Sequence, residues 1–261
     1  QAIAAYRDVH RIKAALSSRS PDDRDAVERL VISNGILGRT LALCGAEVEA
    51  TKHVREAVGA ARTLVAFDAK QADWRFWLGK YSLQLGGIAR SAGRLQEAAG
   101  HDGEALRVLT ELVATDGTNS AWQRELASAQ VESARLRLAL GEPASASPLL
   151  EAAFATLTRE DKAGRGDRNL RLLEAQAHIV RGQLATRRNE GAVAREHWMQ
   201  AHESIANDVP IGANPNFLST WASAHLLLGE VGAARPAIDQ LVAMGYHTPD
   251  VAAVLAATNV A

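Results

Sequence analysis

Eight histidines, one cysteine and five tryptophans are the residues of this 261-residue chain with the most chemistry to offer. A metal ion needs three or four donors converging from fixed elements. His197 and His202 are five apart, which on a helix turns their rings to different sides. His178 and His225 fall on first helices of adjacent helix pairs and could approach each other. No HExxH motif and no completing carboxylate accompanies them, so neither a metal site nor a cofactor is expected. Cys44 lies in the apolar run TLALCGAE with no basic neighbour to draw off its proton, and reads as a small buried hydrophobe. GxSxG is absent. Gly86-Gly87 and AGHDG lack the strand before and the Lys-Ser/Thr after that define a phosphate loop, and read as helix bends or turns. Trp74, Trp77, Trp122, Trp198 and Trp221 fall at helix starts or on apolar stripes and are expected in the core. Stacking bases on them would need exposure and a basic surround. No constellation suits catalysis, and the chain is expected not to be an enzyme.

The bulk properties agree. Lys plus Arg is 29 against 30 for Asp plus Glu, a formal charge of −1, which gives no general pull toward nucleic acid or an anionic membrane. Apolar residues make up 47%, too many for a disordered chain, and no uninterrupted apolar run is long enough to span a bilayer. A single cysteine excludes an internal disulfide. The cytoplasm fits these features, and the periplasm fits if a membrane span lies upstream. Alanine abundance with few prolines and tyrosines says helix.

The helices that must position any site are marked by a repeat. A small residue is followed seven later by Gly or Asn, and five after that by Ala. Gly38, Gly45 and Ala50 fit, as do Gly93, Gly100 and Ala105, then Ala134, Gly141 and Ala146. Gly182, Asn189 and Ala194 follow, then Ala222, Gly229 and Ala234. The small residue lets two helices approach, the Gly or Asn takes the left-handed conformation that ends a helix, and the Ala opens one stripe of the next. All five alanines are therefore expected to be buried. The intervals between them are 55, 41, 48 and 40 residues, and helix starts at Trp74, Trp122, Leu170 and Phe217 recur at 48, 48 and 47. In the second repeat Gly86, Gly93 and Ala98 fit as well; His101-Asp102-Gly103 favours a loop there, and with it the first choice. Ser20-Pro21-Asp22-Asp23, Asn214-Pro215 and Thr248-Pro249-Asp250 read as helix starts.

This pattern, over roughly residues 23 to 245, resembles the tetratricopeptide repeat. ILGRTLALCGAEVEA carries the Leu-Gly pair at Leu37 and Gly38, although the aromatic usual three residues later is Leu41. The resemblance implies an all-α, right-handed superhelix of about five elongated hairpins. One domain over 1–261 is expected: an N-terminal helix (1–20), hairpins at 21–67, 73–115, 120–158, 169–206 and 215–245, and a capping helix at 249–261. It also implies that first helices line a concave groove, reached by the residue after each small position. Those residues are Arg39, Arg94 (Gly87 in the other register), Arg135, Gln183 and Ser223, with Arg187 one turn beyond Gln183. A mildly basic groove of this kind could hold a carboxylate.

DGTNSAWQRELASAQ and LVAMGYHTPDVAAVL look like tetratricopeptide regions that end large bacterial signalling proteins, behind a kinase, TIR or winged-helix domain. The expectation is a non-catalytic scaffold or sensor that binds a protein or peptide segment, an acidic one where the basic groove selects it, and serves an effector domain ahead of Gln1. The alternative is a sensor holding a metabolite inside the superhelix.

Overall fold

The structure is a computed structural model that describes residues 2–20, 22–164, 167–208, 214–246 and 252. Every element formed by these residues is an α-helix: α1 (Ala2–Arg19), α2 (Arg24–Leu43), α3 (Glu47–Phe67), α4 (Ala72–Ser91), α5 (Leu95–Thr115), α6 (Ser120–Ala139), α7 (Pro143–Lys162), α8 (Arg168–Arg187), α9 (Gly191–Ile205), α10 (Pro215–Leu228) and α11 (Val231–Ala243). The expected capping helix at 249–261 lies, apart from residue 252, outside the described residues. By packing, the chain divides into two compact units, Gln1–Ala129 and Gln130–Ala261, and the division falls inside α6.

Helices follow one another in antiparallel pairs, and one device closes each pair. Gly45, Gly93, Gly141, Asn189 and Gly229 all have positive φ, between 61° and 81°. The amide of the next residue reaches back to a carbonyl five before it: Ala46 to Leu41 at 3.0 Å, Arg94 to Ala89 at 2.9 Å, Glu142 to Arg137 at 2.8 Å, Glu190 to Ala185 at 3.0 Å, and Glu230 to His225 at 2.8 Å. This is the Schellman closure, which satisfies carbonyls the helix end would leave bare.

These turns correct the second repeat. The turn residue there is Gly93, and AGHDGEA lies inside α5. The small residue is Gly86, where an added Cβ would run into Asp102. The matching alanine is Ala98, so Ala50, Ala98, Ala146, Ala194 and Ala234 recur at 48, 48, 48 and 40 residues. Ala98 and Ala105 are both fully buried. Seven residues are almost two helical turns, so both stand on one stripe and the pattern alone does not separate them. His101-Asp102-Gly103 suggested a loop, yet a helical glycine costs only about 1 kcal/mol. All five alanines first expected inside are at most 1% exposed.

Caps set the helix starts. Asp23 accepts from the Ala26 amide and begins α2, three residues later than Ser20. Asn214 caps α10, with Pro215 in the first turn. Asp167 caps α8 by accepting from Asn169 and Leu170.

In the second unit the end of α9 is tied to the start of α8. Arg171 donates to both oxygens of Asp208, at 2.7 and 2.9 Å, and Asp208 is only 5% exposed. That fork, rather than burial, dominates the carboxyl and holds it below the usual aspartate range. Arg171→Ala leaves a buried carboxylate without its fork. The arginine is half exposed, so an expected loss of about 1–2 kcal/mol in urea denaturation stays below that of a fully buried pair.

Candidate functional site

On α2, Asn34 and Gly38 face α3: Asn34 meets the His53 ring at 2.8 Å, and a Cβ on Gly38 would crowd Val54. Ile36 is two residues, roughly 200° around the helix, from each of them, and Ile32 and Arg39, four before and three after Ile36, share its side. On α4, Gly79, Ser82 and Gly86 face α5, which puts Lys80 and Gln84 on the side away from it and Phe76 on the flank. The two stripes are neighbours, because α2 and α4 touch directly.

Four hydrogen bonds lock the stripes together. The indole N–H groups of Trp74 and Trp77 both donate to the Glu28 carboxylate, at 3.1 and 2.9 Å. Tyr81 donates to the Ile32 carbonyl at 3.4 Å, and the Gln84 amide to the Gly35 carbonyl at 3.1 Å. Each bond joins residues 46 to 49 apart, one repeat length. Trp77 lies edge-on to Phe76 and stacks on Tyr81, with centroids 5.1 and 5.9 Å apart. Lys80 sits 5.4 Å over Phe76 and pairs with Glu125 of α6 at 3.4 Å. Burial, with help from the Glu125 charge, pushes the Tyr81 phenol well above its usual range, so it stays a neutral donor.

The result is a rigid stripe of half-buried Phe76 and Trp77, exposed Ile36 and two cations of different standing. Lys80 is neutralised by Glu125, whereas Arg39 is exposed and has no carboxylate partner among the described residues.

The other expected groove residues are placed differently. Arg94 precedes α5 and bridges Glu47 and Glu97 at 2.9 and 2.8 Å. It is off the stripe, because the register shift gives its position to Gly87. Arg135, Gln183, Arg187 and Ser223 belong to the second unit. The Arg135 side chain is 13% exposed, with Glu132 at 3.5 Å. Gln183 is half-buried and Arg187 exposed in the last turn of α8. Ser223 is 4% exposed, inside the packing of α10, which meets α8 as well as α9 and α11, so it is no groove residue.

In the second unit the expected approach of His178 to His225 is replaced by two other pairs. His178 meets His197 across α8 and α9, with Nδ1 atoms 3.2 Å apart, and His225 meets His202 across α10 and α9, with centroids 4.7 Å apart. The five-residue spacing of His197 and His202 thus turns one ring to each neighbour. Among the described residues no three His, Cys, Asp or Glu side chains converge as a metal-binding group. Cys44 follows the end of α2, half-buried rather than in the core. Of the tryptophans only Trp74 is buried, and the other four are half-buried. No helix among the described residues is long and apolar enough to cross a membrane.

Sequence reasoning missed Phe76, Trp77 and Lys80 as surface. The available signal was the 48-residue register, which aligns Ile32 with Lys80 and Ile36 with Gln84.

No family model matches the chain, and no curated protein sequence matches it. Among solved structures it is similar to BtubC from P. vanneervenii, at 17% identity and a TM-score of 0.58, over 99% of this chain and 91% of that one. Weaker likenesses are to a thermophilic TPR protein of Thermus thermophilus (17% identity, TM-score 0.47, 88% and 100% covered) and to MamA (17%, 0.34, 74% and 88%). The fold is a tetratricopeptide-like helical repeat.

Proposed function

We propose that this chain is a non-catalytic scaffold that binds an acidic segment of a protein or peptide along the α2 and α4 stripe of its first unit. The observation that carries this reading is Arg39, an exposed cation with no carboxylate of its own among the described residues, one turn from Ile36 and near enough to Tyr81 for its charge to act on that phenol. A partner's apolar side chains fit against Phe76, Trp77 and Ile36 without reordering them, since hydrogen bonds to α2 already fix the tryptophan. Preorganisation of this kind reduces the entropy lost on binding. The acid group of the partner goes to Arg39, as a charge-assisted fork. Such a module suits the scaffold or sensor part of a larger bacterial signalling protein that carries an effector domain, acting in the cytoplasm.

Binding of an acidic peptide library, read by fluorescence anisotropy, tests this. Arg39→Glu and Phe76→Ala are each expected to weaken the best binders by about tenfold or more, as central anchor residues do. Affinity should also fall with salt, which screens exposed charges over about 8–10 Å. Arg187→Ala, in the second unit, should leave binding unchanged. Equal affinities for wild type and both first-unit variants would remove this stripe as the site.

A further inference from the structure

Helix α1 stands one full repeat before α3. Shifting its residues by 48 places Ala2 on Ala50, Tyr6 on Val54, Arg7 on Arg55, Val9 on Ala57 and Leu16 on Leu64. The alignment is physical as well as numerical. Arg7 pairs with Glu49 of α3 at 2.6 Å as Arg55 pairs with Glu97 of α5 at 3.4 Å, each across 42 residues. Against α2 and α3, α1 is seated, with Ile3 against the core, Ser17 buried and the His10 ring 4.8 Å from His53 of α3.

Its other side differs from that of α3. Val54, Ala57 and Leu64 are at most 1% exposed, whereas Tyr6, Val9 and Leu16 are 40%, 46% and 45% exposed, with Ile12 beside them at 54%. In α3 this face is covered by the first helix of its own pair. What covers it follows one rule: Gly38 against Val54, Gly86 against Asp102 and Gly182 against Trp198, each pair 16 residues apart, and each glycine with no room for a Cβ. Tyr6 occupies the same position on α1.

We propose that the exposed stripe of α1 is a docking face for a first-type helix of the same polypeptide, joined to α1 by the same tight turn and presenting Gly or Ala to Tyr6. The interface continues the α2–α3 contact one repeat back, and this continuity specifies both the occupant and its small residue. Tyr6 is bulkier than Val54 and closer in size to Trp198, which faces a glycine.

The chain supplies its own probe. Residues 168–192, which comprise α8 and its turn, fused directly ahead of Gln1 restore the 16-residue spacing between the added Gly182 and Tyr6. Hydrogen exchange should show α1 amides protected by about tenfold or more relative to the unextended chain, because covering the stripe suppresses local opening. Gly182→Leu in the added helix alone should abolish that gain. No gain on extension, or an equal gain with the leucine variant, overturns the proposal. So does an unextended chain that sediments as a dimer and is split by Leu16→Lys, since the occupant is then a second copy.

Discussion

Gly35→Ala will destabilise the first unit by about 3 kcal/mol, the upper end of what overpacking costs. A Cβ at Gly35 would fall inside the ring of Tyr81. A flexible side chain would move aside, but this ring is held on several sides. It is 3% exposed, stacks on Trp77 and donates its hydroxyl to the Ile32 carbonyl. Moving it also disturbs Gln84, whose amide holds the carbonyl of Gly35 itself. Helix α2 must back away from α4, taking the exposed stripe apart. Gly59→Ala is the control: nothing lies within reach of its Cβ, and losing a mid-helix glycine should raise stability by about 0.5–1 kcal/mol. Urea denaturation followed by tryptophan fluorescence measures both. A loss below about 1 kcal/mol for Gly35→Ala would mean that the ring is not pinned.

Acid will weaken the second unit through its buried histidines. His178 is held at a pKa of about 4, first by burial and then by His197 and Arg181, against 6.5 for a free imidazole. The unfolded chain therefore takes up this proton more readily than the folded one. Stability from a neutral His178 is fully present above about pH 6.5 and is lost as pH falls to 4, a change of roughly 2–3 kcal/mol. His202 shifts in the same direction, mainly through burial. His178→Gln should flatten the urea midpoint between pH 6.5 and about 4. A variant profile parallel to wild type would place the acid sensitivity elsewhere.

Local rules made much of the fold legible. Gly45, Gly141, Asn189 and Gly229 were readable as turns because only glycine and asparagine take positive φ cheaply, and Asn214-Pro215 was readable as a start because cap and proline act within three residues. The second repeat failed where the local signals conflict, with His101-Asp102-Gly103 imitating a loop. That error carried Arg94 onto the expected groove. Arg39 is exposed one residue after Gly38, where its own unambiguous repeat puts it. The aromatic row was not legible, since Trp77 near a helix start looks like core until Glu28, 49 residues earlier, is known to hold its N–H. Ser223 was misplaced because nothing local marks it as buried, at 4% exposed, within α10.

The two buried alanines of α5 carry a further consequence, for folding. A helix whose apolar stripe nearly repeats every seven residues has two almost equivalent ways to lie against its neighbour, about 10 Å apart along the axis. A folding chain meets the same choice as a pattern search, and side-chain burial decides it only weakly. The covalent link decides it firmly. Three residues join Ser91 to Leu95, and their closure through Arg94 to the Ala89 carbonyl leaves no slack for such a slide. The tight turn thus acts as an axial stop, removing a competing packed state that the alanine-rich stripe would otherwise permit.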